Sequence, residues 1–444
     1  MPYGNGQTGN TRSPDVGRLA GMAVAELELD AADGTGVRMG PAPGNPPLGQ
    51  PDGGEQRVFA LVRLRGRPVG TVVGRVGAGD DPASVLAEQA VAEILVPDAP
   101  ERPPIGEAPR ATVVVATRER PGPLTRALDS LLAQDHPDFE IVVVDNAPAT
   151  GATRELVTSA YAGRGVRYVL EPVPGLAAAH NRGIAAARAD VLAFTDDDVI
   201  ADPHWLTALT RPFGEDPRLA CVTGLIVPAR LTTPAQVLLE SHGGFAKGFA
   251  ARRYDPADPP ADDPLFPFTA GRFGSGANMA FRAGPLKAVG GFDPATGTGT
   301  PAKGGDDLYA FVRLLAEGHP LQYTPDAIVW HHHRERWEDL CAQAYGYGAG
   351  LTACLAALLV RRPGLLPSLL ARLPRGLARA RSMTAPRATG AAGRTGVPGA
   401  HGTYTHPWPR HLSRLERRGL LYGPLGYVRA RLAVRGTTRP WEGR

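Results

Sequence analysis

Cysteine is scarce in this chain of 444 residues, which contains only Cys221, Cys341 and Cys354. Their number is odd and no two of them have CxxC spacing, so the sequence indicates neither a disulfide framework nor a cysteine zinc site. The N-terminus lacks a basic segment followed by an apolar run, and we expect no signal peptide. Both absences favour a cytoplasmic protein.

Long apolar runs are also rare. The longest uncharged run, Ala342 to Val360, reaches the length of a membrane span, but it is rich in Gly and Ala and contains Gln and two Tyr. This composition favours a packed or interfacial helix over a membrane-spanning one.

Charge is unevenly distributed along the chain. The net charge is +4, yet residues 361–444 carry +15, which leaves −11 on the remainder. Within the basic part, residues 364–381 place leucines along one helical side and arginines off it, although Pro367 and Pro374 interrupt the helix. The pattern is typical of a helix on an anionic membrane surface, here the inner face of the plasma membrane; packing on the protein's own domain is the alternative. No known module or aromatic interleaving indicates nucleic-acid binding.

Composition divides the chain into six segments. Glycine and proline, at 55 and 44 residues, are frequent enough to imply long loops or tails beside a core. We predict a flexible leader (1–55), a small α+β module (56–97), a linker (98–110), a main domain (111–340), a helical segment (341–382), and a further linker with a basic helical tail (383–444).

The main domain alternates apolar strand-like runs with helical patterns. The runs at 111–117 and 139–146 have the short, continuous apolar character of buried parallel strands. Strands that alternate with helices predict an α/β fold with a mostly parallel sheet flanked by helices, in which ligands bind at the carboxyl ends of the strands. Asp145 and the run Asp196–Asp198 both fall at such ends.

Three acidic or histidine clusters each have a functional and a structural interpretation. Asp196–Asp198 can hold Mg²⁺ or Mn²⁺, or form a solvated acidic turn. On a strand, His331 and His333 would share one face, where a neutral imidazole can complete a metal site. Alternatively, they lie at a solvated strand end or in the core. Asp306 and Asp307 precede an amphipathic helix, so one can cap it while the other acts as a general base.

The segment from about 111 to 336 resembles the inverting glycosyltransferases of family 2, which have the GT-A fold. The motifs follow in the expected order: "VVVATRERPGPLTRALDSLLAQ", "IVVVDN", "GLAAAHNRGIAAARADVLAFTDDD", "GSGANMAFRAGPLKAVGGFD" and "GGDDLYAFVRLL". The triple aspartate is similar to the family's metal-binding DXD motif, and the acidic pair is similar to its Glu-Asp motif. The resemblance says nothing about residues 1–110 or 383–444.

The resemblance implies a role for each matching residue. It implies transfer of a sugar from a nucleotide-sugar donor, with Mn²⁺ or Mg²⁺, to a hydroxyl of a glycan or lipid-linked acceptor, such as a cell-envelope glycan. The implied catalytic residues are Asp307 as base and Asp306. The implied metal ligands are Asp196, Asp198, His331 and His333, without deciding among His331, His332 and His333. The implied donor contacts are Thr117, Arg118, Asp145, Asn181, Arg182, Asp196 and Asp197, and the implied acceptor contacts are Gly274, Ser275, Gly276 and Asn278.

The chain departs from the family pattern at two positions of the site. His180 stands where the family usually has Arg, and Asp306 stands where it has Glu. Two other functions fit parts of the pattern. A nucleotidyltransferase would carry a Gly-rich basic loop after its first strand, which "ATRERPGPL" matches poorly, and a glycan-binding scaffold could keep the fold without turnover.

Overall fold

The computed structural model describes residues 19–49 apart from 32, 33 and 35, residues 54–94, residues 108–375 apart from 373, and residues 408–434. Most of the first predicted linker (98–110) and residues 383–407 of the second therefore lie outside the described residues. The remaining boundaries can be compared with the elements below.

A large sheet organises the main domain. Nine strands of the described chain form it, in the order β11-β13-β10-β12-β8-β5-β6-β7, with β9 paired to β13. Pairing is parallel from β8 through β5 and β6 to β7 and between β10 and β13, whereas β12 runs antiparallel between β8 and β10. The predicted α/β sheet is confirmed, with β9, β11 and β12 as antiparallel additions. The strands are β5 (Ala111–Thr117), β6 (Phe139–Asn146), β7 (Val166–Glu171), β8 (Val191–Asp196), β9 (Val199–Ala201), β10 (Cys221–Pro228), β11 (Arg252–Tyr254), β12 (Asn278–Arg282) and β13 (Leu321–His331).

Helices cover both faces of this sheet because its central strands are apolar on both sides. In β5, Val113 and Val115 enter one core cluster and Val114 enters the other, as the alternation of a strand requires. The first cluster includes residues of α2, α3 and α5, and the second includes residues of α4, α7 and α8. The helices are α2 (Pro121–Leu132), α3 (Ala152–Ser159), α4 (Leu176–Ala186), α5 (Trp205–Glu215), α6 (Pro234–Ser241), α7 (Ala283–Ala288) and α8 (Asp306–Ala316).

The N-terminal module begins earlier than predicted. A four-stranded sheet in the order β2-β1-β3-β4 contains β1 (Ala23–Leu29), β2 (Arg38–Pro41), β3 (Gln56–Leu64) and β4 (Arg67–Val76), and α1 (Pro82–Glu93) packs on it. The prediction of a flexible leader over 1–55 is therefore wrong for the two strands between 23 and 41. Glycines and prolines dominate the composition around β1, so its short apolar run was not recognised as a strand. It pairs in parallel with β3 and is largely buried.

The module is docked on the main domain through the outer face of its sheet. Phe59 and Leu61 of β3 share a core cluster with Leu225 of β10 and Trp330 of β13. The Arg63 guanidinium, itself buried, lies 2.6 Å from a carboxylate oxygen of Asp202, just beyond β9. Additional contacts join the two units: Asn45 Nδ2 to the carbonyl of Ala229 at 2.7 Å, Met22 N–H to the carbonyl of Leu231 at 2.7 Å, and Arg67 to Asp326 at 3.1 Å.

The C-terminal part contains two long helices that lie side by side. Helix α9 (Trp337–Arg361) packs on α8, and α10 (Arg410–Ala433) packs on α9. Within the described residues, α9 is the one helix long and apolar enough to cross a membrane, and 44% of its most apolar window is buried. Its buried residues, among them Ala349 and Ala353, contact the main domain and α10, which is the packed arrangement that its composition favours.

The predicted amphipathic helix 364–381 is only partly described. A 3₁₀ turn (Pro363–Leu365) is followed by helical residues 366–372, with Leu366 and Leu370 exposed. Residues 376–381 lie outside the described residues, so the amphipathic pattern over the whole of 364–381 stays a prediction.

Glycine allows α9 and α10 to approach within backbone contact. A methyl group at Gly419 would overlap the carbonyl oxygen of Tyr345, and one at Gly348 would overlap the carbonyl oxygen of Glu416. Each helix therefore places a glycine where the backbone of the other passes.

Gly419→Ala tests this contact. Alanine in a helix interior usually stabilises relative to glycine, but here the methyl group meets rigid backbone, so we expect a loss of about 1–3 kcal/mol in the free energy of unfolding. Chemical denaturation measures it. Gly122→Ala in α2 is the matched control, because nothing lies within 4 Å of its added methyl group. A variant at Gly419 as stable as the Gly122 control would contradict the tight contact.

Candidate active site

Strand pairing brings the triple aspartate to the histidine run. Strand β8 ends at Asp196, and the chain turns at once into β9, which pairs antiparallel with the end of β13 so that Val199 lies opposite His331. The turn is fixed further because the His332 N–H donates to the carbonyl of Asp198 at 3.0 Å. Residues more than 130 positions apart in the sequence, by their numbering, thereby meet at one edge of the sheet.

Three side chains converge there in a geometry that fits a divalent cation. Ligand atoms of Asp196, Asp198 and His331 all lie within 4.8 Å of one another. His331 Nε2 is 3.4 Å from Asp198 Oδ1. Two carboxylates and an imidazole suit Mn²⁺, and the carboxylates also suit Mg²⁺.

The electrostatics of the cluster favour a cation as well. Burial, followed by repulsion from Asp198 and Asp197, raises the pKa of Asp196 well above its usual value. Burial lowers the pKa of His331 to about 4, so the ring is neutral near pH 7, which is the form that binds metals. Burial opposes ionisation of Asp198, but His331, Arg120 and Arg334 outweigh it and lower its pKa.

The middle aspartate belongs to a different network. Asp197 accepts a hydrogen bond of 2.6 Å from the Thr117 hydroxyl and pairs with Arg120, whose other terminal nitrogen lies 3.0 Å from Asp198. Asp197 therefore ties the turn to the loop after β5, and its pKa is raised to about 6, chiefly by burial. Sequence reasoning selected Arg118, which is exposed, and missed Arg120 two residues later in the same polar loop.

His333 does not join the three converging ligands. His331 Nδ1 lies 3.1 Å from His333 Nδ1, and His333 Nε2 lies 3.0 Å from Glu240 Oε2, so both nitrogens of His333 have other partners. The sequence-based assignment of His333 as a metal ligand is therefore corrected: His331 is the histidine of the cluster. Strand β13 ends at His331, and the strand alternation on which the assignment relied does not continue to His333.

The hydrogen bonds define one consistent set of ring protons. For His331 to offer its Nε2 lone pair, its proton must be on Nδ1, which then donates to Nδ1 of His333. His333 must in turn carry its proton on Nε2 and donate it to the Glu240 carboxylate. A carboxylate behind a ligating histidine fixes the orientation of the ring and raises its basicity as a ligand. No sequence signal marked Glu240, which lies near the end of α6.

The two acids before α8 occupy different environments. Asp307 is half-buried and accepts hydrogen bonds of 2.8 Å from the N–H groups of Gly276 and Leu308. Burial, followed by repulsion from Asp306, raises the pKa of Asp307 to about 6. Asp306 is buried with Oδ2 at 3.3 Å from Nδ1 of His180, whose ring contacts Phe194 and Phe292. The negative charge of Asp306 also contributes to the raised pKa of Asp196, which links the acidic pair to the triple aspartate.

Some of the residues predicted to contact the substrates lie near the metal-binding cluster, and others form hydrogen bonds or packing contacts with other parts of the protein. Asp145 lies in register with Thr117 at the sheet edge, but it is fully buried and accepts from the Tyr168 hydroxyl at 3.0 Å. Burial raises its pKa. Gly276 lies against Asp307, and Ser275 precedes it in a half-buried turn. Gly274 is buried at positive φ against Thr223.

Two asparagines are corrected from substrate contacts to structural residues. The Asn181 amide exchanges hydrogen bonds of 2.9 and 3.0 Å with the backbone of Phe292. The Asn278 amide donates to the carbonyls of Leu225 and Ala327 and accepts from Trp205. Both side chains are buried, and these partners occupy the polar groups that a substrate would need.

Arg182 is likewise separated from the metal-binding cluster. It lines a cavity of about 330 Å³ with Arg167 and Arg188 beside β7 and the end of α4, where none of the aspartates of the cluster lies. The predicted donor contact of Arg182 stays a prediction.

Residues 112–288 match the family described as "Glycosyl transferase family 2". Over these residues the chain is similar to the family 2 glycosyltransferases. Its sheet, with the aspartate turn at the end of β8, is the GT-A fold that the sequence resemblance implies.

Curated relatives carry glycosyltransferase names. The chain is 30% identical over 269 residues to the pre-mycofactocin glycosyltransferase of Mycobacterium tuberculosis, an alignment that covers 59% of this chain and 50% of that protein. It is 28% identical over 280 residues to the validoxylamine A glucosyltransferase of Streptomyces hygroscopicus, covering 59% of this chain and 63% of that one. The chain thus spans about half the length of the mycobacterial relative.

Among solved structures, the chain is similar to the mannosyltransferase PcManGT from Pyrobaculum calidifontis, described in complex with GDP-Man and Mn²⁺. The two share 20% identity with a TM-score of 0.47, and the match covers 74% of this chain and 89% of that one.

Glu240→Gln tests the hydrogen-bond chain behind His331. Removing the carboxylate charge should weaken Mn²⁺ binding about 10- to 100-fold, because His331 loses the partner that orients its ring through His333. Calorimetric titration with Mn²⁺ in the absence of donor measures it. Glu88→Gln, an exposed glutamate of α1, serves as the control. Unaltered Mn²⁺ affinity in a folded Glu240→Gln protein would contradict the role of the chain.

Proposed function

We propose that the protein is an inverting, metal-dependent glycosyltransferase that moves a sugar from a nucleotide-diphosphate donor to a hydroxyl acceptor. The observation that carries the proposal is the convergence of Asp196, Asp198 and His331 in a chain similar to the family 2 glycosyltransferases. The adjacent acidic pair supports it, because Asp307 has the raised pKa of a group suited to proton transfer near neutral pH.

Asp196, Asp198 and His331 would hold Mn²⁺ or Mg²⁺. When bound there, the ion would stabilise the negative charge that develops on the leaving diphosphate. Arg120 and Arg334 add positive charge beside Asp198 and would favour the same anion. Thr117 ends β5 and donates to Asp197, and the exposed Arg118 comes next in the chain, on the side of the site where we propose the donor nucleotide binds.

Asp307 would remove the acceptor proton. As the acceptor oxygen attacks the anomeric carbon, its proton passes to the Asp307 carboxylate, the bond from that carbon to the diphosphate oxygen breaks, and the nucleoside diphosphate leaves. A single in-line displacement inverts the configuration without a covalent enzyme intermediate. The N–H groups of Gly276 and Leu308 hold Asp307 in place for this step.

The donor and acceptor are proposed as classes. A nucleotide-sugar is the donor, and a glycan or lipid-linked hydroxyl compound, such as a cell-envelope precursor, is the acceptor. The names of the relatives, which include a validoxylamine A glucosyltransferase and a succinoglycan biosynthesis protein, agree with sugar transfer. We place the reaction in the cytoplasm, where nucleotide-sugars are made.

A donor screen tests the proposal. The protein is incubated with Mn²⁺ or Mg²⁺ and a panel of UDP-, GDP- and dTDP-sugars, and nucleotide release and thermal stabilisation are recorded. We expect one donor class to give a metal-dependent response that Asp198→Ala removes. A folded protein that responds to none of these donors would favour the scaffold alternative.

Asp307→Asn tests the base. Asparagine keeps the size of the side chain, but its single amide oxygen accepts only one of the two N–H hydrogen bonds, and it takes no proton. The rate of transfer should therefore fall about 10²- to 10⁴-fold while donor binding stays within a few-fold. Initial-rate kinetics and donor titration measure the two effects. Asp339→Asn, an exposed acid in the first turn of α9, is the control. Transfer at the wild-type rate by Asp307→Asn would reject the assignment.

The pH dependence of kcat/KM tests the same carboxylate independently. The active form is the ionised one, and the pKa of Asp307 is raised to about 6. We therefore expect kcat/KM to rise about tenfold per unit below pH 6 and to level off above it. An acidic limb that persists unchanged in Asp307→Asn would assign the titration to another group.

A further inference from the structure

Helix α10 presents an apolar stripe to solvent. Leu421, Leu425, Val428 and Leu432 are 84%, 49%, 52% and 53% exposed. Their spacing of four, three and four residues places them on one face of the helix, opposite the glycine contacts with α9. Large side chains exposed together in this way mark an interaction surface more often than isolated ones do.

Arginines flank the stripe on both sides. Arg417 and Arg431 project along one border, and Arg418 and Arg429 along the other, and all four are exposed. Within the part of the chain that the structure describes, none of them forms an ion pair with a carboxylate. Glu416, the one acid of α10, lies on the side of the helix that faces α9.

The remaining C-terminal sequence does not supply matching charge. Residues 376–407 contain no Asp or Glu, and residues 435–444 contain one, Glu442. A partner for this face must therefore combine negative charge with an apolar interior. An anionic phospholipid surface has both, since phosphate groups pair with the arginines while the leucines enter the boundary of the acyl chains.

We propose that this face of α10 binds the surface of an anionic phospholipid membrane. The helix would lie in the plane of the membrane, with the stripe from Leu421 to Leu432 covering roughly 16 Å of its length. The inference goes beyond the proposed sugar transfer, because it concerns a surface that contains none of the reacting groups. It also assigns the membrane contact to a different segment from the one that the pattern at 364–381 favours.

Sedimentation with vesicles tests the proposal in the absence of donor, acceptor and metal. The full-length protein is mixed with vesicles of phosphatidylcholine alone or of phosphatidylcholine with phosphatidylglycerol. We expect binding to the anionic vesicles only, and weaker binding at higher ionic strength.

Two sets of substitutions separate the apolar and charged contributions. One replaces Leu421, Leu425, Val428 and Leu432 by Ser, and the other replaces Arg417, Arg418, Arg429 and Arg431 by Gln. Each set should lower partitioning into anionic vesicles at least about tenfold. Leu170→Ser is the control, because Leu170 is 45% exposed on β7, outside the stripe. Leu421→Ser alone, at the most exposed position, provides a test if the fourfold variant does not fold.

Three results would overturn the proposal. The first is wild-type protein that sediments with neither vesicle type or equally with both. The second is a loss confined to the glutamine set, which would mean attraction to any polyanion. The third is a dimer in solution that the serine set converts to monomer, measured by light scattering, which would assign the stripe to a second copy of the chain.

Discussion

The pairing of β9 with the end of β13 is the interaction on which the candidate site depends. It is only three residues long, yet it joins the turn after β8 to the histidine at the end of a distant strand. Without it, Asp196 and Asp198 would lie at one strand end and His331 at another, with nothing to bring their ligand atoms together. The backbone bond from His332 to Asp198 extends the pairing by one step.

The cost of this arrangement is electrostatic, because it places several carboxylates in a partly buried space. Arginines offset the negative charge of the three aspartates unequally. Arg120 forms ion pairs with both Asp197 and Asp198, whereas Asp196 has no arginine at hydrogen-bond distance in the described part of the chain and keeps a strongly raised pKa. Ionisation of Asp196 therefore lacks a compensating charge, on the side of the cluster where His331 offers a neutral nitrogen. A bound cation would supply that charge, and its effect would be larger in this buried space than in water.

The sequence predicted what depends on local pattern and family motif. The parallel strands, the position of the acids at strand and helix ends, and the family itself followed from apolar runs and motif order. Arg120 and Glu240 could not be found in this way, because their roles arise from tertiary contacts with the aspartate turn and His333. Asn181 and Asn278 show the opposite error: they lie in motif segments, but their amides serve the backbone of neighbouring loops and strands. The first two strands were missed because glycine and proline dominate the composition around them.

The N-terminal module is docked against strands that form the candidate site, although none of its residues takes part in the proposed reaction. Phe59 and Leu61 pack with Leu225 of β10 and Trp330 of β13, and Arg63 binds Asp202 directly after β9, so the module lies against the two strands whose pairing joins the aspartate turn to His331. A ligand that bound only when β9 and β13 were paired would stabilise the docked module, and docking would raise the affinity for that ligand by the same factor. Docking of the module and occupancy of the site would then be linked equilibria.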